Sequence, residues 1–325
     1  MENTSTDTGK ATMLHAVANK PSKHGIKKQS RKQKIFYAAM IALPVLQFVV
    51  FYIVVNFNSI LLAFEEYDVN SGRYVIVGVD ALKNAFKEYF SQPYLVKAIG
   101  NSLLLSVASL VVGLGGSVFF SYYIYKKYLG SKIFKVFLFL PSIISSVAMV
   151  LMFRYFVELG IPELIDKLFG KEIQGLVSGD KTGFATVMFF SIWVGFGPLI
   201  LMFSGAMANI SPSIVESAQL DGITPMKEFW FITLPLIWET FVTYVVVTVA
   251  GTFINQMHLF SFFSGNAEPK MYVVGYYLYC AIYGNATTLS EYPALSAQGI
   301  MFTMITIPVT FLVRYLMRKF GPKED

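Results

Sequence analysis

Cysteine, histidine and charge are all scarce in this sequence. Its 325 residues include one cysteine, Cys280, and three histidines, His15, His24 and His258. A lone cysteine excludes a disulfide scaffold. One Cys and three scattered His leave too few ligands for a zinc or iron–sulfur centre. Charged residues make up only 14% of the chain, against about 25% in a soluble domain. No Asp or Glu falls well inside a long apolar run, and Glu239 lies near the end of one.

What is present is apolar and aromatic. Hydrophobic residues account for 55% and aromatics for 16%, and the mean hydropathy is +0.56. That aromatic content excludes a disordered chain. The composition is that of a polytopic membrane protein, and at about 20 residues per span this length holds about six to nine helices. The surplus charge of +6 sits beside apolar runs, where it sets membrane orientation rather than marking a nucleic-acid partner.

Residues 1–34 are polar and rich in lysine, and read as a disordered basic cytoplasmic tail. No A-x-A site follows the next apolar run, so it is not a signal peptide. Six runs then satisfy the length of a span: Ile35 to Phe57, Ile99 to Tyr123, Ile133 to Phe153, Phe184 to Ala208, Leu236 to Asn255 and Ala294 to Met317. Met271 to Tyr283 is too short to cross and reads as a helix at the outer interface. With both termini inside, seventeen of the 26 Lys and Arg fall on the inner side, as the positive-inside rule requires. The expected fold is thus an all-α membrane bundle of six spans, with a permease domain over 35–318 and a short cytoplasmic tail over 319–325. Short amphipathic helices are expected in the outer loops, around Leu82, Ala85, Phe86 and Phe90 and around Leu164, Ile165, Leu168 and Phe169. They either rest on the membrane interface or merely cap the bundle. In the second span Ser109, Gly113, Ser117 and Ser121 form one small-residue face for close helix approach.

The loop 211–235, between the fourth and fifth spans, carries the most information. Ser211 with Pro212 starts a helix, although Ser213 and Glu216 also fit capping-box spacing. Gly222 supplies a left-handed stop, and Thr224 with Pro225 starts a second helix. Glu216, Asp221, Glu228 and Glu239 oppose Lys227, so an inside loop is acidic against the prevailing trend. Such a knob is either a docking surface for a soluble partner or an ordinary solvated hairpin.

The residues Glu216, Ser217, Ala218, Asp221, Gly222, Ile223, Phe229, Ile232, Leu234 and Pro235 resemble, in register, the EAA loop of ABC-importer permease subunits, E-A-A-x-x-D-G-A followed by F-x-x-I-x-L-P. Ser217 and Ile223 replace two alanines. The resemblance runs from about Ile35 to Arg318 and is nearest the carbohydrate-importer branch, in its maltose-permease-like first-subunit group. Phe137-Leu-Phe-Leu-Pro141, Pro93 with Asn101-Ser102, Trp193-Val-Gly-Phe-Gly197, Tyr277-Leu-Tyr279 and Tyr292-Pro-Ala-Leu-Ser296 carry it outside the loop. The chain departs from that branch at Glu268 to Met271.

This resemblance implies a subunit that forms half of a sugar or oligosaccharide pathway and is driven by a separate ATPase. Glu216, Ala218, Asp221, Gly222, Phe229 and Pro235 would couple to that ATPase: Glu216 by pairing, Ala218 by close approach, Gly222 by the turn, and Asp221 by capping or bracing the second helix. Its implied partners are a second permease subunit, an ATP-binding cassette dimer, an extracellular solute-binding protein and the lipid bilayer of a bacterial cell membrane, with no nucleic acid. No cofactor is expected in this chain, since ATP and Mg would bind the partner ATPase. No P-loop occurs here: Gly170-Lys171 is followed by Glu172 and lacks the upstream glycine.

Polar groups at membrane depth mark substrate routes. The candidates are Asn101, Asn255, Gln256 and His258, with Tyr276, Tyr277, Tyr279 and Tyr283 as surfaces for stacking on sugar faces. Location at the outer interface explains each of them equally well. A different cargo on the same machine, such as glycerol-phosphate, a polyamine or an inorganic anion, is the nearer alternative. A secondary transporter would need intramembrane acids or repeats, and neither is evident.

Overall fold

The computed structural model describes residues 31–283 and 288–322. The expected tail therefore lies outside the described residues as far as residue 30, as do the last three residues of the C-terminal tail. Residues up to Asn56 and residues from Phe57 form two compact units, each taken here by itself. In the first, helix begins at Arg31 and belongs to a 32-residue apolar helix, Arg31–Leu62. Pro44 is accommodated inside it, and a π-turn follows at Val49–Val54.

After the end of that helix the larger unit carries a small antiparallel hairpin, Glu65–Asp68 with Arg73–Ile76, whose Asn70-Ser71-Gly72 turn is a hairpin signal that hydropathy along the spans does not register. Gly72 takes a positive φ in its turn, and Tyr67 meets Tyr74 edge-on across the strands. Three long apolar helices follow along the chain: Pro93–Tyr125, Gly183–Ala208 and Tyr292–Phe320, the second, fourth and last spans.

The third and fifth spans differ from straight runs. In the third, Ser131–Ile143 meets Ser146–Phe169 at 111°; the fifth, Trp238–Ala250, meets Pro225–Leu236, the second helix of the 211–235 loop, at 74°. Each bend lies close after a proline, which removes a backbone donor and weakens the helical ladder around it. Pro141 lies three residues before the extended Ile144, and Pro235 two residues before the irregular Ile237. The fifth span ends at Ala250, so Asn255 lies in an irregular segment beyond it.

The small-residue face of the second span packs on the fourth. A Cβ at Gly113 would touch Ile192, and one at Gly116 would crowd Phe196 at 3.2 Å. Ser117 and Ser121 are fully buried, and Ser121 donates to the Ile200 carbonyl at 3.2 Å. One hydrophobic cluster joins these two spans to the 211–235 loop and the fifth span through Leu114, Tyr122, Phe203, Met207, Phe229 and Val245.

The short helix expected near the outer interface runs over Val274–Tyr283, buried at its start and exposed at Ile282 and Tyr283. Val274, Gly275 and Tyr276 are buried, because Gly275 lets it press on the Ile254 and Asn255 carbonyls. The amphipathic helix Val79–Ser91 has two characters. Ala81, Ala85 and Tyr89 are buried, with Ala85 packed beside Ala297 and Tyr89 against Phe302 of the last span. Phe86 and Phe90 stay exposed and lie ring to ring at 4.4 Å. The second expected amphipathic helix is continuous with the third span, and its Leu164, Leu168 and Phe169 are exposed.

The close approach at Gly275 predicts a clear asymmetry. Gly275→Ala overpacks a backbone contact and should cost about 1–3 kcal/mol. Gly205→Ala, in a helix with open space at its Cβ, should gain roughly 0.5–1 kcal/mol. Thermal unfolding of the two variants in detergent measures both; equal melting temperatures would contradict the packing described.

Candidate functional site

Two regions concentrate the expected site residues. The first is the 211–235 loop. Its first helix is Pro212–Leu220, with Ser211 at the N-cap position. The Ser211 hydroxyl pairs with that of Ser213 at 2.8 Å rather than capping the helix. The stop is a Schellman motif: Gly222 has φ +75, Ile223 N–H donates to the Ala218 carbonyl, and Gly222 N–H to that of Gln219. Thr224, not Asp221, occupies the N-cap position of the second helix.

The loop's acidic residues separate into two sets. Glu216 and Asp221 are exposed, with Gly222 beside them and Ala218 half-buried. Glu228 is buried, at 2% exposure, and both its oxygens lie 2.8 Å from Lys126 Nζ. Glu239 pairs with Arg318 at 2.9 Å. The acidic knob is therefore narrower than the sequence suggests. Phe229 points inward and meets Tyr122 at 5.0 Å and Phe119 at 5.8 Å between ring centres. Pro235 is half-buried at the bend. These two anchor the loop, while Glu216, Asp221 and Gly222 form its outer surface.

The second region is a cavity of about 470 Å³ where the bent third span faces the fourth. Such a volume suits a small molecule. Asn255 and His258 reach it, as do Ser142, Ser146, Ser191 and Phe190. His258 has φ +55 and follows Met257 at φ +54. Two consecutive left-handed residues without glycine store backbone strain. The Asn255 carboxamide oxygen accepts from Met257 N–H at 2.8 Å and supports that turn. The His258 ring stands edge-on to Phe190. Among the described residues, no Lys, Arg, Asp or Glu lines the cavity. Nor is any group of three or more His, Cys, Asp or Glu placed to hold a metal ion there or elsewhere among them.

The sequence did not single out Ser142, Ser146, Ser191 or Phe190. A signal was present for the first two, since Pro141-Ser142 and Ser145-Ser146 interrupt an apolar run, as in the broken helices that line transport sites.

The other expected pathway residues lie elsewhere. Asn101 donates to the Lys270 and Tyr272 carbonyls at 3.0 and 2.8 Å. Ser102 accepts from Val274 N–H. Tyr276 is fully buried; its hydroxyl donates to Ser264 O and accepts from Ala267 N–H. Asn101 and Tyr276 are thus committed to holding the 264–276 segment, because buried polar groups need partners. Tyr279 packs on Phe260 and Tyr283, the latter exposed. Tyr277 meets Tyr89, and Gln256 is half-buried in the strained turn.

Lys270, where the chain departs from the pattern it resembles, pairs with Asp180 and Glu268. The hydrogen bond from Lys270 holds the Asp180 carboxyl below its ordinary range, and the bond to Asp180 raises the ammonium. A depressed carboxyl keeps this exposed link intact at neutral pH and releases it only as pH falls through the lowered range.

Residues 113–324 match the family of binding-protein-dependent transport system inner membrane components. The chain is 28% identical over 187 residues to the probable ABC transporter permease protein MG188 homolog of Mycoplasma pneumoniae, and spans 56% of each sequence. It is 22% identical to the multiple sugar-binding transport system permease protein MsmF of Streptococcus mutans, over 85% of this chain and 93% of that one. Its fold is similar to a chain of the bacterial alginate ABC transporter solved with an alginate pentasaccharide-bound periplasmic protein. The TM-score is 0.72 at 20% identity, covering 89% of this chain and 96% of that one.

Asn101→Leu tests its assignment as a clamp. Two carbonyls lose their donor, which should cost about 1–3 kcal/mol, read as a lower melting temperature in detergent. Unchanged stability would instead return Asn101 to the candidates for ligand contact.

Proposed function

Because this chain belongs to the binding-protein-dependent transport system inner membrane components, we propose that it is one permease subunit of an ATP-driven importer for sugars or oligosaccharides. Members of this family are transport permeases, not enzymes. Energy enters from a separate ATPase dimer that binds ATP and Mg, and a second permease subunit completes the pathway. An extracellular solute-binding protein delivers the cargo. The alginate transporter complex, with its sugar-loaded periplasmic protein, and the sugar system of MsmF support this reading.

The observation that carries the proposal is the exposed helix–Gly222–helix of the 211–235 loop, with Glu216 and Asp221 on its outer surface. A short, acidic, preformed element fits a basic cleft on a soluble partner. Both termini and this loop lie in the cytoplasm in this reading, as the lysine and arginine distribution favours. Residues 35–318 make up the permease domain.

The cavity at the third-span break is the proposed cargo route. Asn255, His258, Ser142 and Ser191 offer neutral hydrogen-bonding groups, and Phe190 offers a flat apolar face. That pairing suits a sugar, whose hydroxyls surround apolar C–H faces. An uncharged lining favours a neutral cargo over glycerol-phosphate or an inorganic anion, because an unpaired buried charge is costly.

Two outcomes follow. Reporter fusions at Asn266 and at Ser213 should report opposite sides of the membrane; the same side for both would sink the topology. In the assembled importer, Gly222→Val forces a β-branched residue into a left-handed backbone, at a cost of about 1–2 kcal/mol. Glu216→Lys reverses a docking charge, with a larger effect at low salt than at high. Both should lower ATPase co-purification and stimulated hydrolysis while membrane insertion persists. Wild-type association in both variants would leave the loop a solvated turn.

A further inference from the structure

The loop is joined to the second span by a joint in which the Tyr122, Lys126, Glu228 and Phe229 side chains are buried or half-buried. Glu228 closes the first turn of the loop's second helix, at 2% exposure. Lys126 follows the last residue of the second span, and its side chain is 13% exposed. The ammonium sits 2.8 Å from each carboxylate oxygen. One turn back, Tyr122 donates its hydroxyl to the Pro225 carbonyl at 2.8 Å, and its ring packs on Phe229. Three different interactions therefore fix residues 225–229 to the last turn of the second span.

From this geometry we propose that Lys126 and Glu228 are positioning residues that make the loop's second helix and the end of the second span move as one body. The inference rests on the loop being the ATPase contact. A buried ion pair contributes little net stability over an apolar pair, but it fixes one register, since either charge left alone is heavily penalised. An apolar contact, being non-directional, tolerates sliding. The second span in turn packs on the fourth through Gly113, Gly116, Ser117 and Ser121. Displacement of the loop is thereby delivered to both walls that flank the third span. Glu228 thus transmits force and does not belong to the docking surface formed by Glu216 and Asp221.

The test uses the complete importer with its ATPase and second permease, in a Cys280→Ser background. Spin labels are placed at Phe231→Cys in the loop's second helix and at Leu129→Cys just past the second span, both exposed positions. Distances are measured nucleotide-free and after trapping with MgATP and vanadate. In the labelled parent the separation should differ by less than about 2 Å between the two states, within ordinary helix shifts. Lys126→Met with Glu228→Met leaves no lone buried charge, so it keeps the fold, yet it should broaden the distribution and shift it between states. The exchange Lys126→Glu with Glu228→Lys should restore the narrow distribution. A Met–Met chain as narrow and as invariant as the parent overturns the joint, as does a parent whose distance changes by several ångströms. A parent that fails to recruit the ATPase overturns the importer reading and this inference together, and co-purification separates that case from the others.

Discussion

The second and fourth spans approach closely across Gly113, Gly116, Ser117 and Ser121, and much of the remaining geometry follows from that approach. Lipid supplies no hydrophobic drive between helices, so association rests on close packing and hydrogen bonds. Small side chains provide both here: Phe196 lies over Gly116, and Ser121 reaches a carbonyl of the facing helix. Held in this way, the fourth span presents Gly197 to Ser142 of the third span. That contact lies beside Pro141, where the third span is about to bend.

The bend creates the cavity. A straight third span would carry Ser142 and Ser146 along an ordinary lipid or packing face. At 111°, the two halves separate and the serines line a space shared with Phe190, Asn255 and His258. Broken helices free backbone groups at membrane depth, and these are tolerated only inside protein or beside a polar cavity. The strained Met257–His258 turn and the break at Ile144 therefore belong to one feature. Asn101, Ser102 and Tyr276 stabilise that feature from behind by fixing the segment that follows it.

At the other end of the second span, four acidic residues that look alike in sequence take different parts. Glu216 and Asp221 remain in solvent. Glu228 is drawn inside by Lys126, and Glu239 is paired with Arg318. Net acidity along a loop thus overstates the charge on its surface. The same sorting separates Phe229, an internal wedge, from Gly222, an exposed helix stop.

The sequence by itself determined the membrane class, the long apolar spans and the helix–Gly–helix loop. Hydropathy, span length, Pro at a first turn and Gly at a stop are local properties, set by the bilayer and by φ/ψ sterics. The small-residue face was also legible, because four-residue spacing places side chains on one side of a helix. Only the tertiary structure decided which polar groups face the cavity. Asn101 and Asn255 are the same residue type near the ends of spans, yet one is used up by two carbonyls 169 and 171 positions away and the other borders open space. Whether Glu228 is a docking charge or an internal anchor was undecided for the same reason. Its fate depends on a lysine 102 positions away, and no spacing rule along the chain reports which distant group will share a buried site.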